Sequence, residues 1–278
     1  MKKYILISLL FISTVFSSCN DWLDISPKDQ VGEDKLFSTG DGYRNALNGV
    51  YSNVSGSQMY AKELSWGFLD VLAQYYDPYA MKYNSSYLNY VSKYSYDNSF
   101  VKGILDNFWR AAYTNIANCN NLIQNIEKES PTNFAGGEKE RNMIHGEALA
   151  LRAFLHFDLL RVFAAAPIND DGNVYIPYCE KHPAILIAKE TVPSCLHKIE
   201  RDLLKAKELL ATFDLYPDHI NWLQSNIRIM ANHNYPGEKL PEDLFYLYRG
   251  FRINYYAATA LLSRVYAYKG SLEEAYKQ

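Results

Sequence analysis

The sequence is short of most residues that announce a mechanism. Cysteine occurs four times in 278 residues. Cys19 falls at the end of an N-terminal leader, and the other three, Cys119, Cys179 and Cys195, are an odd number, which argues against a disulfide framework. Cys119 and Cys195 fall on or beside apolar helical stripes and read as buried, small apolar groups. A zinc site from Cys179, His182, Cys195 and His197 lacks the spacing of a known zinc fold, and residues 195 and 197 diverge on a helix. Positive charge shows no surplus: the formal net charge is −3, and without a basic patch a nucleic-acid partner is not expected. The nucleophile elbow G-x-S-x-G, the zinc motif H-E-x-x-H and the phosphate-binding loop are missing. The acidic neighbours Glu33–Asp34, Asp170–Asp171 and Glu242–Asp243 sit in polar, loop-like stretches, where adjacency does not create the facing geometry of glycoside hydrolysis. Residues 170–173 lack the full calcium-loop pattern. The expectation is a protein that is not an enzyme, with no catalytic residue, metal or cofactor.

Long apolar runs are absent beyond the start. "MKKYILISLLFISTVFSSCND" has Lys2 and Lys3, an uncharged stretch from Tyr4 to Val15, then small residues before Cys19. This is the pattern of a secretory leader, shorter than the ~20 apolar residues of a membrane span. Cys19, preceded by Ser17 and Ser18, is similar to a bacterial lipobox cysteine, although Phe16 and Ser18 depart from the usual residues. The predicted modification is a lipid on Cys19; the alternative is ordinary cleavage near Ser18. Residues 1–18 read as the signal peptide, 19–35 as anchor and tether, and 36–278 as the folded domain.

What is abundant is apolar and aromatic: 48% of residues are hydrophobic and 24 are tyrosine. Helical periodicity predicts helices over Gly40–Val54, Phe108–Glu127, Glu138–Phe163, Val192–Leu210 and Arg252–Lys269, with another beginning at Ser271. Strand signals are weak, so the fold class is all-α with long decorated loops. "LALRAFLHFDLLRVF" (149–163) places Arg152, His156, Asp158 and Arg161 on an otherwise apolar helix. These charges read as structural. Glu147 and Arg152 stand five apart, so their partners are expected on neighbouring helices. Asn120, polar on an apolar stripe, is expected to be hydrogen-bonded inside the core. "ALLSRVYAYKGSLEEAY" carries Leu262, Ser263, Tyr266, Gly270 and Ala275 at tetratricopeptide-repeat spacing. The chain reaches Gln278 before an average second helix is complete, so the Leu262–Tyr266 face is expected to lie uncovered.

Five stretches together resemble one family. They are "CNDWLDISP"; "FWRAAYTNIANCNNLI" with Trp109, Tyr113, Ile116 and Asn120; "GEALALRAFLHFDLLRVFAAAP" with Glu147, Arg152, Phe157, Arg161 and Pro167; "KIERDLLKAKELL"; and "RINYYAATALLSRVYAYKG". The sequence resembles the SusD/RagB family of outer-membrane nutrient-binding lipoproteins, with Ala164 standing where the family usually has glycine. The resemblance implies a SusD-like fold of tetratricopeptide-like helix pairs, of which this sequence is the N-terminal part, incomplete at its C-terminus. It implies a lipid-anchored, surface-exposed outer-membrane protein that captures an oligosaccharide, or in some members a peptide. The cargo would pass to a SusC-like TonB-dependent transporter. The alternative is a tetratricopeptide-type envelope lipoprotein that scaffolds protein–protein assembly.

One segment suits sugar binding. Eight tyrosines lie between Tyr75 and Tyr96. Aromatic faces stack on the C–H face of a pyranose, while nearby Asn and Asp side chains bond its hydroxyls. Tyr75, Tyr79 and Tyr83 are the candidate ligand contacts. The competing reading is a buried stripe, because Tyr76, Tyr79, Tyr83, Tyr87, Tyr90 and Tyr94 recur at helical spacing. A second aromatic group, Trp222, Phe245, Tyr246 and Tyr248, is the weaker candidate.

Overall fold

The computed structural model describes residues 32–77, 79, 86–223 and 241–278. Cys19, the leader and Tyr83 lie outside them. The chain divides into two units at Ser38. The described part of the first holds one turn, α1 (Glu33–Leu36), closed by the Ser38 hydroxyl donating to the Lys35 carbonyl at 2.8 Å.

The second unit begins with α2 (Gly40–Val54), whose first turn is capped by Thr39. Next come the short helices α3 (Phe68–Leu72) and α4 (Ser86–Ser92), then α5 (Ser99–Ile126) and α6 (Gly137–Phe163). An antiparallel hairpin of β1 (Val174–Pro177) and β2 (Lys189–Thr191) follows, pairing Val174 with Thr191 and Ile176 with Glu190. Thr191 then caps α7 (Val192–Asp214), with Pro193 in its first turn, where the missing N–H is no loss. The remainder is α8 (Pro217–Ile220), α9 (Leu244–Leu247), α10 (Tyr255–Lys269) and α11 (Leu272–Lys277). No described helix is long and apolar enough to cross a membrane. The all-α expectation holds, the hairpin being the only sheet among the described residues.

Helix α6 is the hub, packed by α2, α5 and α7. Its burial reaches all round, so its charged residues must find partners inside. Arg152 donates from Nε to Asp202 of α7 at 2.7 Å and from Nη1 to Asn120 of α5 at 3.0 Å. Asn120 in turn donates to the Cys179 carbonyl at 3.0 Å. Glu147 accepts from the Tyr51 hydroxyl at 2.6 Å and lies 3.4 Å from buried Arg249. Arg249 is also gripped by both carboxylate oxygens of Asp214. Buried His156 stacks on Tyr178, contacts the Arg152 carbonyl through Nδ1, and accepts the Cys179 N–H at Nε2. Arg152 and His156 of the 149–163 stretch are therefore accounted for by packing, while Asp158 and the partly exposed Arg161 line a cleft.

Three boundaries differ from expectation for physical reasons, one being the start of α10, which Asn254 caps at Tyr255 rather than Arg252. Helix α5 starts nine residues before the predicted Phe108, because Asn98 caps it and Val101, Ile104 and Leu105 bury against a satellite core. Helix α7 runs on to Asp214, whose carboxylate is held by Arg249.

The repeat-like turn forms as its spacing predicts. Gly270 adopts φ 80°, a left-handed conformation that glycine tolerates. Ser263 Oγ donates to the Ala275 carbonyl at 2.7 Å, so the two small residues do meet. The expected uncovered face is not found. Leu262 is 0% and Tyr266 8% exposed, because this side of α10 packs on α7 and the Tyr266 hydroxyl donates to Glu200 at 3.0 Å.

Candidate functional site

The tyrosine-rich segment is built on a small core of its own. After α2, residues 55–67 form consecutive turns, and the chain doubles back so closely at Gly67 that a Cβ there would lie 2.8 Å from the Lys62 carbonyl oxygen. Phe68 and Val71 of α3 meet Val91 of α4 and Val101 of α5, with Tyr76, Tyr87 and Val162 packed around them. Tyr76 and Tyr87 act as struts: their hydroxyls donate to the Trp66 carbonyl at 2.6 Å and to Glu63 at 3.3 Å. Other rings are pushed outward. Tyr75 is 80% exposed and Tyr79 71%, and Trp66, Tyr94, Tyr96 and Phe100 also face solvent. The single buried stripe is thus ruled out for Tyr79 and Tyr94, while Tyr76 and Tyr87 follow the packing alternative.

Tyr75 stands on a cleft of about 630 Å³ walled on one side by its own neighbours from Leu64 to Ala73 and on the other by distant parts of the chain. Asp70 joins from α3, Asp158 and Arg161 from α6, and Arg264 and Tyr268 from α10. Arg161 donates to Asp158 at 2.9 Å, and the Tyr60 hydroxyl donates to the other Asp158 oxygen at 2.8 Å. Burial pushes the Asp158 carboxyl up, against the Tyr60 hydrogen bond and the charge of Arg161 that hold it down. Tyr268 meets Phe157 edge-on at 5.4 Å. The cleft therefore offers one open aromatic face together with guanidinium donors and carboxylate acceptors. That combination can stack on and hydrogen-bond a hydroxylated ligand. Tyr79 is not among the cleft-lining residues.

Arg264, Tyr268 and Arg161 were not singled out as site residues from the sequence. Arg264 and Tyr268 are four apart on α10, hence on one face, but which face meets the Tyr75 loop is set by α10 docking against its neighbours.

The second aromatic group is a packed network. His219 stacks on Trp222 at 4.2 Å, and Phe213 lies 5.2 Å from Tyr246. The Arg252 guanidinium lies 3.9 Å from the Phe245 ring centre. Arg44 bonds Glu140, Asp243 and the Tyr246 hydroxyl together. Its rings face one another and these cations, and only Tyr248 of the four is largely exposed.

The acidic pairs serve local structure. Asp171 binds Asn173 and Tyr175 within its own loop, and Asp243 pairs with Arg44 at 2.8 Å. Cys119, Cys179 and Cys195 are free and buried. Burial pushes their thiols up, to about 11 for Cys179 and about 12 for the other two. Among the described residues no three His, Cys, Asp or Glu side chains come together as metal ligands.

Comparison with known proteins follows the same lines. A family model, SusD-like, described as starch-binding and associating with the outer membrane, matches residues 21–220. No curated protein matches the chain. Among solved structures, a SusD superfamily protein of Bacteroides thetaiotaomicron shares 25% identity at a TM-score of 0.56, covering 86% of this chain and 44% of that one. A Bacteroides vulgatus protein provisionally designated sugar-binding shares 24% identity at a TM-score of 0.59, covering 84% and 44%. A SusD-like carbohydrate-binding protein of Bacteroides vulgatus shares 20% at 0.55, covering 86% and 43%. The chain spans less than half the length of each.

Proposed function

We propose, from the premise that this chain belongs to the SusD-like family, that it binds an oligosaccharide at the cell surface and releases it uncleaved. The observation that carries this reading is the exposed Tyr75 ring on the cleft shared with Arg161, Arg264 and Tyr268. An open ring beside fixed hydrogen-bonding groups is what a sugar needs, and a core residue would not be left in that position. Tyr79 and Tyr83 join Tyr75 in this proposal as flanking contacts. The family description makes a starch-type α-glucan the first ligand to try. Anchoring through a lipid on Cys19 places the protein on the outer membrane, and a SusC-like TonB-dependent transporter receives the cargo.

Calorimetric titration with a linear malto-oligosaccharide tests the binding step. Tyr75→Ala is expected to weaken binding by about 1 kcal/mol or more, the scale of one aromatic contact, with an unchanged melting temperature. Unchanged affinity in this variant removes the cleft from the binding site, and release of shorter sugars during titration overturns the non-enzymatic reading.

A further inference from the structure

The loop that joins β1 to β2, residues 178–188, carries an apolar tip. Pro183, Ala184, Ile185, Leu186, Ile187 and Ala188 follow one another without a polar or charged side chain. All but Ile187 are exposed, Ile185 at 77% and Leu186 at 100%. Apolar residues scattered singly over a surface need no explanation, but a run of exposed ones marks a contact. The tip shares no residue with the Tyr75 cleft.

The base of the loop is tied down. Gln124 of α5 donates from Nε2 to the His182 carbonyl and accepts the His182 N–H at Oε1, both at 2.8 Å. Asn120, one turn earlier, donates to the carbonyls of Cys179 and Lys181 at 3.0 and 3.4 Å. On the other side, Lys189 pairs with Pro177 in the hairpin. Both ends of the loop are thus fixed, and the tip between them projects from the body.

Charge separates the possible occupants. The acidic residues beside the tip are engaged, Glu180 by Arg201 and Lys198, and Glu190 by Lys198. Lys181 and Lys189 bracket the tip, are exposed, and form no ion pair among the described residues. An apolar centre with a cation on either side matches a bilayer interface, where alkyl side chains enter the acyl boundary and lysines lie at anionic headgroups. A stable protein interface takes about 20–30 residues a side, and this tip is far smaller. A lipid surface needs no matching partner shape. We propose that the 183–188 tip inserts into an anionic lipid surface, with Ile185 and Leu186 as the inserting side chains and Lys181 and Lys189 at the headgroups. The contact fixes which face of the second unit meets the bilayer. It is separate from the lipid proposed for Cys19 and does not require it.

The test uses the full chain carrying Cys19→Ala, so that no lipid at position 19 holds it to a membrane. Ala184→Cys then supplies an accessible thiol for the environment-sensitive dye NBD, because Cys119, Cys179 and Cys195 are buried. The probes are vesicles of phosphatidylcholine alone and of phosphatidylcholine with phosphatidylglycerol in equal parts. Glu208→Cys, exposed and roughly 24 Å along α7 from its hairpin end, carries the control label. Saturable brightening of the tip label is expected with the mixed vesicles, weaker with phosphatidylcholine alone and absent for the control. Ile185→Asp combined with Leu186→Asp should weaken partition about tenfold or more, the scale of losing a large buried side chain. Lys181→Gln and Lys189→Gln should each weaken it about fivefold on the mixed vesicles, the scale of one basic residue at an anionic surface. All changed positions are exposed, so the variants should keep the parent's melting temperature. The proposal is overturned if the mixed vesicles leave the tip label unchanged, which would leave the tip to a protein partner. It is equally overturned if the aspartate pair partitions as well as its parent, if neither lysine variant loses affinity, or if the control label responds as strongly.

Discussion

Arg152 and Asp202 meet at 2.7 Å across the α6–α7 interface, with both side chains almost wholly out of solvent. Burial by itself would push the Asp202 carboxyl up, but the charge and hydrogen bond of Arg152 win and hold it below the ordinary carboxylate range. The Tyr178 hydroxyl donates to the same Asp202 oxygen at 2.6 Å. This one ion pair joins α6, α7 and the chain just after β1.

Removing one partner leaves the other buried and uncompensated. Asp202→Ala is expected to cost about 3–5 kcal/mol, read from denaturant midpoints. The double variant Arg152→Met with Asp202→Leu should cost less than the sum of the two single changes, because the orphaned charge is gone. A loss below about 1 kcal/mol for Asp202→Ala would show that solvent reaches the pair.

Gly146 permits the same interface. A Cβ at this position would lie 2.8 Å from Leu210 Cγ and 3.1 Å from the Ala206 carbonyl oxygen. Gly→Ala inside a helix ordinarily gains up to about 1 kcal/mol, whereas overpacking costs about 1–3 kcal/mol. The Ala206 carbonyl is backbone and cannot swing away, so overpacking should prevail. Gly146→Ala should lower the midpoint and Gly146→Val should lower it further; a higher midpoint for alanine would mean that Leu210 repacks freely.

Two buried histidines make stability depend on pH. Burial pushes His156 down to about 3 and His145 down to about 4, from an ordinary value of 6.5. The unfolded chain therefore binds protons more readily than the folded one between these values. Their contribution is complete above pH 6.5 and is lost as pH falls from there toward 3. Glu140 and Asp202 have lowered values, so their contribution begins to fade only near the ordinary carboxylate values of 4.5 and 3.8. From pH 6.5 to about 5 the histidines should therefore lower stability, opposed by Asp158 and Asp214, whose raised carboxyls take up protons in the folded chain first. The melting temperature should fall across that window, and His156→Gln should flatten the fall. An identical slope in the variant would assign the dependence to other groups.

Lipidation of Cys19 is a separate expectation, resting on the leader pattern before it. Labelled palmitate should enter the protein in a Gram-negative host and be lost in Cys19→Ala. Stable anchoring needs more than one acyl chain, so the unlabelled variant should also leave the membrane fraction. Equal labelling of both proteins would refute the assignment.

Local rules made several features legible in the sequence. The helix over Gly40–Val54, the start of α7 after Thr191 and the turn at Gly270 depend on periodicity, caps and one left-handed residue, all encoded within a few positions. The structural roles of Arg152 and His156 were legible too, because they interrupt an apolar pattern without any catalytic companion, whereas the place of Asp158 and Arg161 on the cleft was not. What tertiary structure alone decided are pairings between residues far apart in the chain. Asp202 for Arg152, and Tyr51 and Arg249 for Glu147, follow from helix docking. The same holds for the tyrosines: spacing could not separate a buried stripe from an open platform. Tyr79 and Tyr83 belong to both readings, so phase does not choose between them, and the choice falls to what packs beside each ring. Tyr76 and Tyr87 found α3 and α5 to bury against, while Tyr75 came to stand on a cleft completed by Arg264 and Tyr268, nearly two hundred residues later in the chain.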